Sequence, residues 1–178
     1  GLQMFYYSEE KMIPAKYIRT FHIYKNKTAL FRYIDRTKRK DNMCEQYSEF
    51  KIGNIIPPVK IKKYAKKPSS VGTIPFISCQ TTNNGIASYC GETPEVESCI
   101  TVSTNGNCFD CFYHDYPIIP SSDVEILYKK GITDDREIAL YLCAALRPFT
   151  KLYSYSNKPK NGKVFETVIS LPVIPSSD

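Results

Sequence analysis

Between residues 74 and 128 the chain alternates short β-type runs with clusters of small amides and hydroxyls, and this rhythm restricts its fold more than any other feature. Ile74-Pro75-Phe76-Ile77-Ser78 leads into Gln80-Thr81-Thr82-Asn83-Asn84-Gly85. Thr101-Val102 leads into Ser103-Thr104-Asn105-Gly106-Asn107, and Ile118-Ile119-Pro120 into Ser121-Ser122-Asp123. Short runs of β-branched and aromatic residues bounded by Gly, Asn, Ser and Asp read as strands joined by turns. Strands are expected near 74–78, 85–90, 99–103, 108–114 and 123–128, with 92–98 as an acidic connector. The polar clusters admit two uses. Asn and Gly accept φ > 0 and so build tight turns. An amide also holds a donor and an acceptor in one plane, which suits reading a base edge.

One helix is legible, over 134–147. Ile138, Tyr141, Leu142 and Leu146 fall at i, i+3, i+4 and i+8, Asp134 is placed to cap with Glu137 three residues on, and Pro148 stops the helix. Ile56-Pro57-Pro58 cannot be a central strand, because proline has no N–H. Residues 60–70 form a basic loop or edge strand, 157–163 a Lys-rich loop, and 164–171 a strand. Upstream, 17–24 and 28–34 read as a hairpin, the second run being also compatible with a helix. The expected fold is α+β: a strand-dominated mixed or antiparallel sheet domain with one clear helix and long basic loops. Residues 1–45 are an N-terminal extension, either a hairpin or the end of a preceding domain; 46–174 are the main domain; 175–178 start a linker. Ile119-Pro120-Ser121-Ser122-Asp123 recurs at 174–178, which is too short for a structural repeat.

At 42% hydrophobic and 24% charged, the 178 residues can bury a core. No apolar run approaches the roughly 18 residues of a membrane span. The start lacks a basic stretch followed by an apolar one, so no signal peptide is expected. Seven cysteines, an odd number in irregular positions, fit reduced thiols and a cytoplasmic setting better than a disulfide framework. Residues 1–70 hold 16 Lys and Arg against 6 Asp and Glu, a net of +10; residues 71–178 hold 8 against 12, a net of −4. Such asymmetry suits a polyanion facing the basic half, or an ordinary solvated surface.

Three chemistries are open. For DNA contact, Lys60, Lys62, Lys63, Lys66 and Lys67 form the densest basic cluster, interleaved with Tyr64. Lys158, Lys160 and Lys163 form a second, next to Tyr153 and Tyr155. Lysines of this kind position a duplex on its phosphates while amides specify. For metal, Cys108-x-x-Cys111 is half a zinc ribbon by spacing, with Cys90, Cys99 and His114 nearby. In a strand the two thiols would point to opposite faces, unless Phe109-Asp110 turns. For catalysis, no phosphate loop, nucleophile elbow or dinucleotide fingerprint is present, and the two histidines, His22 and His114, lie far apart. Asp110, Asp123 and Glu125 with a lysine are fragments of a metal-dependent nuclease pattern. A basic protein-interaction module is a further alternative.

Ile74-Pro75-Phe76-Ile77-Ser78, Asn83-Asn84-Gly85, Thr101-Val102-Ser103-x-Asn105-Gly106, Phe112-Tyr113 and Ser122-Asp123-Val124-x-Ile126-Leu127-Tyr128 occur in an order that resembles a target-recognition domain. Such domains belong to the specificity (S) subunits of type I restriction–modification systems and of related type II enzymes that methylate and cut. The likeness covers roughly residues 48–174, including a Tyr-Ser-Tyr-Ser segment at 153–156 and a closing Val168-Ile169-Ser170-Leu171-Pro172-Val173. It implies sequence-specific binding of double-stranded DNA by a non-catalytic chain without a cofactor of its own. It implies a partner methyltransferase that binds S-adenosylmethionine and flips the target adenine, a separate restriction subunit or domain, and no membrane. It places Ser78, Gln80, Thr81, Asn83, Asn105 and Asn107 near DNA, while Asn84 and Gly85 are read as turn residues without a ligand. Whether the parent system is type I or type II stays open.

Overall fold

The computed structural model describes residues 6–8, 11–13, 20–24, 32–34, 47–154, 156–160 and 162–174, the first four segments and Ile174 as backbone alone. In chain order the elements are β1 (Tyr6–Ser8), β2 (Lys11–Ile13), β3 (Thr20–Tyr24), β4 (Arg32–Ile34), β5 (Tyr47–Lys51), α1 (Ile52–Ile55), β6 (Ile74–Ile77), β7 (Ile86–Cys90), β8 (Cys99–Ser103), β9 (Cys111–His114), β10 (Ile119–Pro120), β11 (Val124–Leu127), α2 (Arg136–Leu146), α3 (Lys163–Glu166) and β12 (Val168–Ile174). The chain divides into two compact units, Gly1–Ser48 with Leu171–Asp178, and Glu49–Ser170.

In the first unit β1 and β2 pair antiparallel, as do β3 and β4 with Thr20 opposite Ile34. β3 and β4 lie within the runs 17–24 and 28–34, and the residues between them fall outside the described ones. A four-stranded sheet has the order β4-β3-β12-β5. Among the described residues β12 runs parallel to β3 through Val173 and Ile174. Pairing therefore starts after Pro172, which has no N–H to contribute.

The second unit holds two three-stranded sheets. One has the order β10-β6-β7, with β6 antiparallel to β7 and parallel to β10. The other has the order β11-β8-β9 and is antiparallel throughout. All five residues of β8 are buried, matching its central place and near-continuous apolar sequence. Ile77, Val96, Cys99, Ile118, Val124 and Ile126 form a core shared by both sheets. α2 turns Ile138, Ala139, Leu142 and Leu146 inward, the face set by the helical spacing. Mixed sheets with one long helix make this the α+β architecture expected.

Three details differ from the sequence reading. α2 starts at Arg136, and Asp135 rather than Asp134 caps it: its carboxylate accepts the Glu137 and Ile138 N–H groups at 3.0 and 3.1 Å. Asp134 is one residue too early and takes the Gly131 N–H instead. Residues 163–166 are a helical turn rather than the start of a strand, entered through Gly162 at φ 79°. The run 108–114 is a strand only from Cys111, because Phe109 sits at φ 69° and breaks the extended backbone.

Candidate nucleic-acid interface

Strand directions bring the three polar clusters to one end of the two sheets. The 78–85 cluster joins β6 to β7, 103–110 joins β8 to β9, and 121–123 precedes β11, which runs antiparallel to β8. Backbone bonds tie them together. Ser121 N–H donates to Ile77 O at 2.8 Å, and Thr104 N–H donates to Asp123 O at 2.8 Å. The Asn105 amide donates to the Asp123 carboxylate at 3.2 Å. Gly106, at φ 59°, lies so close to Cys79 that an added Cβ would stand 3.3 Å from its sulfur and from its carbonyl oxygen.

The two uses of the amides coexist here. Asn83 and Asn84 both adopt left-handed backbone, φ 51° and 50°, followed by Gly85 at 77°. Only Gly and Asn enter that region readily, so the turn accounts for these identities, including the reading of Asn84 and Gly85 as turn residues. Asn84 also lies against the Tyr116 hydroxyl. Gln80, Thr81, Asn83 and Asn107 have exposed side chains, and Ser78 and Asn105 are half-buried. All six share this end of the sheets.

The lysines separate into groups. Tyr64 forms a parallel bridge with Ser121: its N–H donates to Pro120 O, and its carbonyl accepts the Ser122 N–H. Because the bridge is parallel, Tyr64 is followed by Ala65, Lys66 and Lys67 on the side where Ser121 is followed by Ser122 and Asp123. Lys66 and Lys67 are exposed and without an ion-pair partner among the described residues. Lys63 differs: its ammonium donates to the Glu125 carboxylate at 2.5 Å, each side chain a quarter exposed. Lys62 stands over the Tyr64 ring, 4.7 Å from its centroid, and its N–H donates to Glu95 in the acidic connector, at the far end of the strands from the amides. Tyr64 donates to Glu92 at 2.9 Å; this bond, with a second from Ser70, holds the Glu92 carboxyl below its ordinary range. Lys60 is exposed, two residues before Lys62.

The second basic cluster reaches the amide end through Cys108. Its thiol donates weakly toward Ser154 O and Gly106 O, both at 3.6 Å. Burial raises the Cys108 thiol pKa, and the charges of Lys158 and Lys160 oppose that shift. The fully buried Phe109 ring anchors the same segment, stacked on Tyr153 at 4.8 Å between centroids and 5.6 Å from Phe149. Lys163 is exposed at the first position of α3. Tyr155 lies outside the described residues.

Several residues of the metal and nuclease readings are engaged elsewhere. Phe109 does turn, yet Cys111 donates to the Cys143 carbonyl at 3.3 Å, away from Cys108. Asp123 is held by Asn105 and Glu125 by Lys63. No three His, Cys, Asp or Glu side chains among the described residues are grouped to hold a metal ion. His114 is fully buried, bonded to Thr101 at 2.9 Å and to Tyr116 at 3.2 Å. Burial lowers its pKa to about 4, so it packs as a neutral core residue. No helix among the described residues is long and apolar enough to cross a membrane.

The sequence reading missed an open groove beside the amides, lined by Gly106, Asn107, Asp110, Thr150, Tyr153 and Ser154. Only the Tyr-Ser segment hinted at it, because its other wall comes from the turn before β9.

The model of the family described as type I restriction modification DNA specificity domain matches residues 44–176. The chain is 29% identical over 140 residues to the specificity subunit S.BcgI of a type II restriction enzyme from Heyndrickxia coagulans, across 78% of this chain and 40% of that protein. Its fold is similar to the crystal structure of a type I restriction–modification S subunit from M. genitalium, with TM-score 0.53 and 18% identity, over 72% of this chain and 35% of that one. The chain thus spans well under half the length of either relative. The family match takes in every polar cluster and both lysine loops, and so the chain belongs to the type I restriction–modification DNA specificity domain family.

Proposed function

We propose that this domain reads one half of an asymmetric duplex site, mostly from the major groove, and holds the DNA for a partner methyltransferase. The observation that carries this reading is the convergence of three polar clusters, fixed to one another by the Ser121–Ile77 and Thr104–Asp123 backbone bonds, with Gly106 leaving little room for a side chain beside Cys79. Such bracing presents donors and acceptors at fixed spacing, which base readout needs. Lys66, Lys67, Lys158 and Lys160 supply the flanking charge that positions a backbone. Gln80, Thr81, Asn83 and Asn107 are free to read; Asn105 acts first as a brace.

The chain has no chemistry of its own in this reading and needs no cofactor. Methyl transfer, with S-adenosylmethionine and a flipped adenine, belongs to the partner, and cutting to a restriction subunit or fused module. The complex works in the cytoplasm, where the DNA is. Similarity to S.BcgI and to the M. genitalium subunit supports this division of labour. Selection from randomised duplexes at fixed salt tests it. One enriched short sequence is expected; equal binding of all duplexes, with the methyltransferase present as well, refutes it. Mg²⁺-dependent nicking of plasmid by the pure chain refutes the non-catalytic assignment.

A further inference from the structure

Asp110 occupies the turn between β8 and β9, within the groove that Asn107, Thr150, Tyr153 and Ser154 also line. Its backbone is satisfied: its N–H donates to Asn107 O at 3.3 Å, and its carbonyl accepts the Ser103 N–H at 2.8 Å. Its side chain is half-buried, and no donor among the described residues hydrogen-bonds its carboxylate. Burial raises its pKa, and the charge of Arg147 offsets this only in part. A carboxylate that takes no hydrogen bond from the described residues and borders an open groove keeps its acceptor sites for a donor on a ligand.

The ligand chemistry follows from charge. Phosphates repel a carboxylate, so Asp110 cannot serve backbone affinity. Guanine and thymine offer only acceptors on their own major-groove hydrogen-bonding edges, and adenine sets its N6 amino beside the N7 acceptor. Cytosine presents the N4 amino alone. We infer that Asp110 is a specificity-determining residue whose carboxylate accepts a hydrogen bond from the N4 amino group of one cytosine in the recognised half-site. This rests on the DNA-recognition reading of the same face.

The test uses the full chain and the duplex that selection returns. Each cytosine in turn is replaced by 2-pyrimidinone, which lacks the exocyclic amine, and by thymine. One position should weaken the unmodified protein about 5- to 150-fold, the discrimination expected of one good base contact. In Asp110→Asn, whose amide both donates and accepts, cytosine and thymine at that position should differ by less than about threefold. A protein that discriminates among duplexes but tolerates 2-pyrimidinone at every cytosine overturns the Asp110 assignment and leaves the recognition reading intact. So does an Asp110→Asn variant with the unmodified protein's cytosine preference. A protein with no sequence preference at all overturns both. The 2-pyrimidinone series needs no variant, so it can overturn the assignment even where Asp110→Asn fails to fold, and Asp110→Glu, which keeps the carboxylate but moves it, then ties a positive result to Asp110 by a shifted cytosine preference.

Discussion

The lysine geometry gives a quantitative prediction for Lys66→Ala with Lys67→Ala, compared with Lys63→Ala. Lys66 and Lys67 follow the bridge to Ser121 at the amide end and lack an ion-pair partner among the described residues. Each phosphate they neutralise contributes about 0.9 to the negative slope of log K against log salt. Removing both should flatten that slope by about 1.8. With 1 M salt as reference, this is a loss of roughly 200-fold at 50 mM salt and about 30-fold at 150 mM. The loss should be equal for cognate and random duplexes, since phosphate contacts carry no sequence information. Lys63 is already neutralised by Glu125. Its replacement should flatten the slope by well under 0.9 and weaken folding by about 0.2–1 kcal/mol, in the range of a partly exposed pair. Fluorescence anisotropy over a salt series gives both slopes. Equal slopes for all three proteins, or a Lys66/Lys67 variant that reorders duplex preference, would refute the placement of this loop on phosphates.

His114 makes stability pH-dependent. Its folded pKa lies near 4 and its unfolded value near 6.5, so the unfolded chain binds more protons between those limits. Stability should be full above pH 6.5 and fall with decreasing pH by about 1.4 kcal/mol per unit, about 3 kcal/mol in all; urea titrations should show His114→Asn losing this component. Asp135→Ala should destabilise by about 0.5–2 kcal/mol through loss of the α2 cap, and Asp134→Ala by less; thermal melts give the ranking, and the reverse order contradicts the cap assignment. Gln80→Ala should relax preference at one base pair with stability unchanged within about 0.5 kcal/mol, whereas Asn105→Ala should lower stability by about 0.5–1.5 kcal/mol by freeing Asp123. Selection profiles beside chemical melts would contradict this if the two variants behaved alike.

What the sequence disclosed, and what it withheld, follows from the range of the forces involved. The inner face of α2 was legible because its burial repeats with the helical period, and β8 because a short run bounded by turn residues is buried along its whole length. Element ends were less so, because they turn on single backbone dihedrals: Phe109 and Gly162, both at positive φ, decide where a strand or helix starts. The cap moved by one residue because Asp134 and Asp135 are chemically equal, and only the entry angle of the chain chooses between them. The candidate site was legible as a set of residue types and illegible as a geometry. Lys63 and Lys66 look alike in a basic run, yet Glu125, 62 residues away from Lys63, neutralises one and not the other. Asn105 and Asn107 look alike in a turn, yet Asp123 holds the first. Each distinction is made by a partner distant in sequence, and each separates a residue that shapes the surface from one that can read DNA with it. On the proposed reading, specificity domains that share this scaffold should therefore hold the bracing pairs and the left-handed turn at Asn83 to the scaffold's own constraints, while Gln80, Thr81 and Asn107, which carry neither, should change with the sequence being read.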